Sequence, residues 1–425
     1  MREGWSRTTI GAAADVVGGG TPRTSEPSYW GGPIPWITPT EVVAAEGAAI
    51  TTTTRTLTEL GLQKSGARLL PEASILVTSR ATVGAVAMAG CQMATNQGFA
   101  ALIAGPLLVP KFLMLWSQAN AGEFRMRAGG STFPEISRSV VREIPIDIPP
   151  LDEQRRIVDI IGSLDATIAA TDQAVAKAEQ ARRAVLTDLL SLTPSSAQSA
   201  IADASKRPPI ARGWSRVTIG QVADAQRGYS YSSPELSAEP TGFGLVALKT
   251  VGKNGGFQRQ GMRFLRSAER SPATVGPGDL LVAATDLTRA REVLGSSILV
   301  PQGLPPESVF SLDMVKLVPN PQVVMTEFLD CFLQAPHTRR VVKSLGTGTT
   351  VVHLNVAAFL ALPVLLPPLD EQRRIVDMVS TLHNEVVALK ATAKAARSAR
   401  AGILSELLSG SHEIPASYDR LLEAT

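Results

Sequence analysis

Apolar and small residues recur at alternating steps of four and three from Ile157 through Ile161, Leu164, Ile168, Thr171, Val175 and Ala178, then at Val185 and Leu189. The same spacing returns in Ile375, Val379, Leu382, Val386, Leu389, Ala393, Ala396, Ile403 and Leu407. It places one narrow apolar seam along a helix and predicts two long coiled-coil helices. Each follows a Pro-Pro step, which cannot lie inside a helix but can precede one. Each opens on an acidic first turn, Asp152-Glu153 or Asp370-Glu371, favoured by the helix dipole. A helix of about 40 residues is roughly 60 Å long, and so long a seam needs a partner. The other copy is the economical partner. Arg182 and Arg400 interrupt the seam at equivalent positions, where a local opening or a charged partner is expected. The first helix leads away from one body and the second begins at the next, so an antiparallel pair is expected.

The helices belong to a larger repeat. Pro149 to Asp159 recurs unchanged as Pro367 to Asp377, eleven identical residues at an offset of 218, and Leu186 to Ser191 faces Leu404 to Ser409 at the same offset. Gly4 to Gly11 reappears as Gly213 to Gly220 with one difference in eight, at an offset of 209. The unit is a start motif, a variable body and a constant helical tail, present twice. The bodies diverge between their shared ends: Gly18 to Trp36 is rich in Gly, Thr, Pro and aromatics, and Arg227 to Gly244 follows another pattern. Two sites with different targets explain a constant frame around different inserts; drift after duplication is the plainer alternative. The identity of Asp152, Glu153, Arg155 and Arg156 with Asp370, Glu371, Arg373 and Arg374 exceeds what a seam needs, and two equal docking sites for one kind of partner would account for it.

Composition narrows the class. The chain of 425 residues is 44% hydrophobic and 19% charged, which suits more than one soluble folded domain. A net charge of +3 permits a polyanionic partner without demanding one. Cys91 and Cys331 stand alone, and His337, His353, His383 and His412 are scattered without metal-ligand spacing, so no metal or other cofactor is expected. The N-terminus lacks a signal peptide's apolar stretch, and a cytoplasmic location is expected.

At this point the sequence resembles the specificity subunit of type I restriction-modification enzymes over nearly its whole length. The resemblance is carried by Gly19-Gly20-Thr21-Pro22, Tyr29 to Gly32, Ile34 to Ile37, Ile75 to Gly84 and Ala94 to Gly98 in the first body. Gly276 to Val282 in the second body and the two helix entries complete it. It implies two α/β (α+β) target-recognition domains, separated by a long antiparallel two-helix coiled coil, in a pseudo-two-fold internal repeat. The expected bounds are a first recognition domain over 1–147, a helix over 148–192, a linker over 193–212, a second domain over 213–366, a second helix over 367–410 and a tail over 411–425. Each domain would read half of a bipartite double-stranded DNA site, while the helices fix the gap and bind two methyltransferase subunits, with restriction or translocase subunits where the system cleaves. Half-sites about one DNA turn apart, roughly 34–36 Å, suit two readers related by a pseudo-two-fold axis.

Base reading needs forked donors and acceptors on exposed loops, Arg for guanine and Asn or Gln for adenine. The candidates in the first body are Thr21, Arg23, Ser25, Ser79, Arg80, Thr82, Asn96 and Gln97. In the second they are Arg227, Tyr229, Tyr231, Lys249, Lys253, Arg289, Arg291, Lys343, Thr347 and Thr349, with phosphate contacts expected to outnumber base contacts. Asn96-Gln97-Gly98 equally suits a simple turn, and Trp30 and Trp36 read as core. Asp286 and Glu292 could orient Arg289 or accept from cytosine.

Two rivals stand beside this reading. A self-contained DNA methyltransferase or nuclease is disfavoured because none of the Pro-Pro pairs has the amide and ring of an adenine-methyltransferase loop, and no GxxxxGK[ST] loop is present. A coiled-coil adaptor without a DNA role leaves two divergent, Arg-bearing bodies unexplained. The expectation is a non-catalytic subunit.

Overall fold

The computed structural model describes residues 2–45, 47–130, 134–190, 212–253, 255–267, 272–288, 290–415 and 418. The expected linker therefore lies outside the described residues but for Arg212, and so does the expected tail beyond Pro415 but for Tyr418. The chain divides into two units, Met1–Asp172 with Ala391–Thr425, and Gln173–Lys390. Among the described residues no helix is long and apolar enough to cross a membrane.

Each unit holds the same strand frame. In the first, Ala14–Val17, Phe99–Ala104, Ile75–Thr78, Val86–Ala89 and Ala49–Ile50 lie side by side in that order, and Arg55–Leu57, Trp30–Ile37, Met93–Thr95 and Leu69–Leu70 form a second sheet. In the second, Ala223–Arg227, Met314–Pro319, Leu280–Ala283 and Ser297–Leu299 repeat the first four strands. Strands such as Ile75–Thr78 and Leu280–Ala283 are apolar runs buried on both faces, because each divides two apolar layers. A helix, Pro110–Ala119 or Thr326–Gln334, packs Phe112 or Phe328 into its unit's core.

The long helices run Leu151–Leu190 and Leu369–Ser409. In the first unit Asp165 meets Arg400 and Asp172 meets Arg397, so the two segments run antiparallel. In the second unit Glu179 pairs with Lys390 at 2.6 Å, while Leu186 and Leu190 share a core with Val379, Val376 and Ile375, again antiparallel. Ile157, Ile161, Ile168, Ala178, Ile375, Val379, Val386, Ala393 and Leu407 are buried as the heptad spacing predicts. Past the arginines the seam departs from it. Val185 and Ile403 are only half-buried and Leu189 is exposed, while Leu186, Leu190 and Leu404 are buried. A straight helix drifts about 20° per heptad, and these turns pack into the body's core as well as on the other helix.

The repeated residues build one bracket twice. The start strand Ser6–Thr9 pairs antiparallel with Pro145–Ile148, and Ser215–Thr218 with Pro363–Leu366, fastening the two ends of each body together just before its helix. Trp5 donates its indole N–H to Glu153 at 3.1 Å, and Trp214 does the same to Glu371 at 2.9 Å. The amides of Gln154 and Gln372 are fully buried. Gln154 accepts from the Val109 N–H and donates to the carbonyls of Leu107 and Pro149, each at 2.8 Å. Gln372 repeats this with Met325, Val323 and Pro367 at 2.8–2.9 Å. A buried amide that satisfies three backbone groups cannot be exchanged without stranding them, which accounts for much of the repeat's identity.

Candidate nucleic-acid interface

The loop after the central strand differs in length between the two frames. Thr78 lies opposite Phe99 and Ala283 opposite Met314, so these residues are equivalent. Gly84 donates to the Thr78 carbonyl at 3.0 Å and Gly295 to that of Ala283 at 2.8 Å, closing the loops at equivalent points. Next to the strand, Arg80 bridges Glu135 as Thr285 bridges His353. Three residues separate Arg80 from Gly84, whereas nine, Asp286 to Leu294, separate Thr285 from Gly295.

The short loop is organised by Thr78, whose hydroxyl accepts from the Ala85 N–H at 3.0 Å and donates to the Thr82 carbonyl. The long one closes around Asp286. This fully buried carboxylate accepts from the N–H groups of Val293 (2.7 Å), Leu294 (2.9 Å) and Thr288 (2.7 Å) and from the Thr288 hydroxyl (2.8 Å). Burial works to raise its pKa, yet these bonds outweigh burial and hold the carboxyl below its ordinary value. Ala81 (φ +59°) and Arg291 (φ +51°) each adopt the left-handed backbone, at a cost of about 1 kcal/mol.

In the first unit Ser79, Arg80 and Gln97 converge on a cleft of about 530 Å³. Arg80 is paired with Glu135 at 2.7 Å but still half in solvent, and the buried Ser79 contributes backbone bonds to Gly98 and Ile136. Thr21 donates to the Gln97 side chain at 2.5 Å, joining the Gly-Gly-Thr-Pro loop to the same rim. That loop needs glycine: a Cβ at Gly19 would lie 2.1 Å from the Thr95 carbonyl oxygen. Asn96 accepts from the Gly98 N–H at 2.8 Å, so its carbonyl oxygen is engaged in the turn. Arg23, Ser25 and Thr82 are exposed.

Sequence reasoning missed Arg138 and Arg142, which line this cleft from the helix Arg138–Glu143. Their signal was four-residue spacing after Ser137, which caps the helix through the Val140 N–H at 3.2 Å. It also missed Arg55, whose guanidinium stacks 3.4 Å from the Trp30 ring centroid. Trp36 is core, as read, but Trp30 is half-buried beneath that cation and meets Trp36 edge-on at 5.1 Å.

In the second unit the structure gathers Lys253, Arg291 and Lys343 around the long loop. Lys253 pairs with Glu292 at 3.0 Å, and Arg291 donates to the Lys343 carbonyl at 3.0 Å. Arg339, missed in the sequence, braces the loop by donating to the Leu294 carbonyl at 2.7 Å, and burial pushes its guanidinium down to about 10. Burial, then Arg339, lowers the Lys343 ammonium, opposed by Asp286 and Glu292. Asp286 thus orients the loop and Glu292 holds Lys253; Arg289 lies outside the described residues.

The remaining candidates sit elsewhere on that body. Arg227 ends an exposed strand, and Lys249 lies exposed in a 3₁₀ turn. Tyr231 is half-buried, and Tyr229 donates to Glu235 at 2.6 Å. The Ser232 hydroxyl, the Tyr229 hydroxyl and the Ser232 N–H hold the Glu235 carboxyl at about 2. Thr347 and Thr349 are exposed at the hairpin between Gly346–Thr347 and Val352–Leu354.

Of the charged residues read as docking positions, Glu153 and Glu371 are committed to Trp5 and Trp214, and Glu153 also takes Arg2 at 2.6 Å. Asp152 and Arg155 form an exposed pair at 2.5 Å, and Arg156 is half-buried. Asp370, Arg373 and Arg374 are exposed.

Comparison with known proteins supplies the family. The type I restriction modification DNA specificity domain matches residues 2–180 and 269–396. The type I restriction enzyme MjaIX specificity subunit of Methanocaldococcus jannaschii is 37% identical over 39% of this chain, an alignment covering 38% of that relative. A solved chain from a study of assembly and conformational transition in the type I restriction-modification system covers 96% of this chain and 98% of its own, with a TM-score of 0.62 at 17% identity. The type I S subunit from M. genitalium covers 95% and 96%, with a TM-score of 0.54 at 16% identity. At these identities the structural likeness concerns the fold alone. With the family match spread over both repeats, this chain belongs to the type I restriction modification DNA specificity family.

Proposed function

We propose that the chain is the non-catalytic specificity subunit of a type I restriction-modification enzyme, reading a bipartite, asymmetric site on double-stranded DNA with one body for each half-site. The observation that carries this reading is a single strand frame present twice, whose equivalent loops differ in length, in anchor and in the side chains they display. In the first body Arg80, Gln97, Thr21, Arg138 and Arg142 meet DNA; in the second Arg291, Lys253, Lys343, Arg289 and the 347–349 hairpin do. Arg forks suit guanine and phosphate, and Gln suits adenine. The working parts follow the expected bounds: readers over 1–147 and 213–366, and spacer helices over 148–192 and 367–410.

The repeated charges, exposed Asp152 and Arg155 and half-buried Arg156 with exposed Asp370, Arg373 and Arg374, are the proposed seats of two methyltransferase subunits. The relatives' designation as specificity subunits supports the reading. Inserting one heptad into each long helix, at pairing positions, tests the ruler. The half-site spacing should lengthen while the bases read stay the same; unchanged spacing removes the helices' role.

A further inference from the structure

The second body's long loop is an added arm closed on a buried carboxylate, with an exposed leucine at its base. It has six more residues than its counterpart, yet its backbone closes on one buried carboxylate, Asp286, with Arg339 bracing its far end. On this footing stands Leu287, 70% exposed, the next residue after the anchor and beside Thr288, which Asp286 grips through both N–H and hydroxyl. An isobutyl group held in water by an otherwise well-bonded loop is placed to meet an apolar feature of a partner. The surroundings select which kind: Lys253, Arg291 and Lys343 flank the arm, so the partner is polyanionic. Among the edges of duplex DNA, the C5-methyl of thymine is the apolar feature of the major groove.

We propose that Leu287 is a specificity-determining residue that packs on a thymine methyl in the second half-site, and that Asp286 is the positioning residue that aims it. This rests on the DNA-reading function proposed above. Asp286 acts through geometry: its carboxylate ties the backbone on the far side of Leu287, at Thr288, to Val293 and Leu294. The shorter loop of the first body, three residues from Arg80 to Gly84, offers no such arm, so the contact belongs to one half-site only.

Selection from random-sequence duplex libraries tests it, one library containing thymine and one containing uracil throughout, with the full chain and its Leu287→Ala and Asp286→Asn variants. The wild type should select thymine at one position of the second half-site, lose that preference in the uracil library, and keep its other contacts. Leu287→Ala should discard the same preference even with thymine present, weakening binding roughly fourfold, the worth of one buried methyl. It should then be indifferent to uracil. Asp286→Asn should blur the same position, while the remaining positions of the second half-site, still selected by both variants, report that this body is folded. A thymine preference untouched by Leu287→Ala or by uracil, or a second half-site without thymine, overturns the inference. Failure of the wild type to select any sequence would instead overturn the DNA-reading function itself.

Discussion

Arg400 and Arg182 occupy the same position of the repeat, yet they are held differently. In the first unit Arg400 forks onto Asp165 of the opposing helix segment, so its charge is answered within the helix pair. In the second the residue equivalent to Asp165 is His383, and Arg182 reaches instead to Gln334 on the body's own helix. The missing carboxylate has reappeared as Asp330, at the place held by Met114 in the first body. Asp330 accepts from Ser297 at 2.7 Å and from Gln334 at 2.6 Å. Burial pushes its carboxyl above the ordinary value, with these bonds and Arg182 opposing. The two halves share the frame and the cation but place the anion differently, on the helix in one and on the body in the other, so the second body is tied to its helix here by a buried polar network.

The glutamine brackets define where the units should still behave alike. Gln154→Ala and Gln372→Ala each strand three backbone groups, and each should cost its own unit about 3 kcal/mol in chemical denaturation. Unequal losses would break the equivalence. The arginines should then separate the units: Arg182→Ala leaves a buried carboxylate without its nearest cation and should cost about 2 kcal/mol, whereas Arg400→Ala, removing a partly exposed pair, should cost less than about 1 kcal/mol.

Acidity gives a smaller contrast. Because the folded pKa of Asp330 is raised from 3.8, its contribution is greatest below that value and is lost as pH rises through the raised one. Asp330→Asn should therefore flatten the second unit's stability profile above pH 4 or so, and Met114→Leu should leave the first unit's profile alone. The smallest effects belong to the exposed pairs Lys390–Glu179 and Arg397–Asp172, about 0.5 kcal/mol or less on alanine substitution and weaker still in high salt.

The helices were legible because heptad spacing is a local signal, and the duplication because identical residues announce themselves. Beyond Arg182 and Arg400 the heptads misplaced the seam, since packing against a body depends on residues distant in sequence. The bond from Trp5 to Glu153 was not legible for the same reason: the two residues stand at opposite ends of the first body's sequence. Arg80, Gln97, Arg291 and Lys343 were chosen as candidates from residue type; Arg138 and Arg142 join the cleft of Arg80 and Gln97 only through the fold, and Arg339, four residues before Lys343 on one helix, reaches the long loop only through it. The Asp286 arm could not be measured until the strand register fixed where the two loops begin and end.

Exchange of residues 1–147 for the matching body of a related subunit, followed by methylome sequencing in a host carrying the complete operon, tests the central claim most directly. Two independent readers on one frame predict that the first half-site changes while the second half-site and the spacing persist. A change in both half-sites, or in neither, would contradict it.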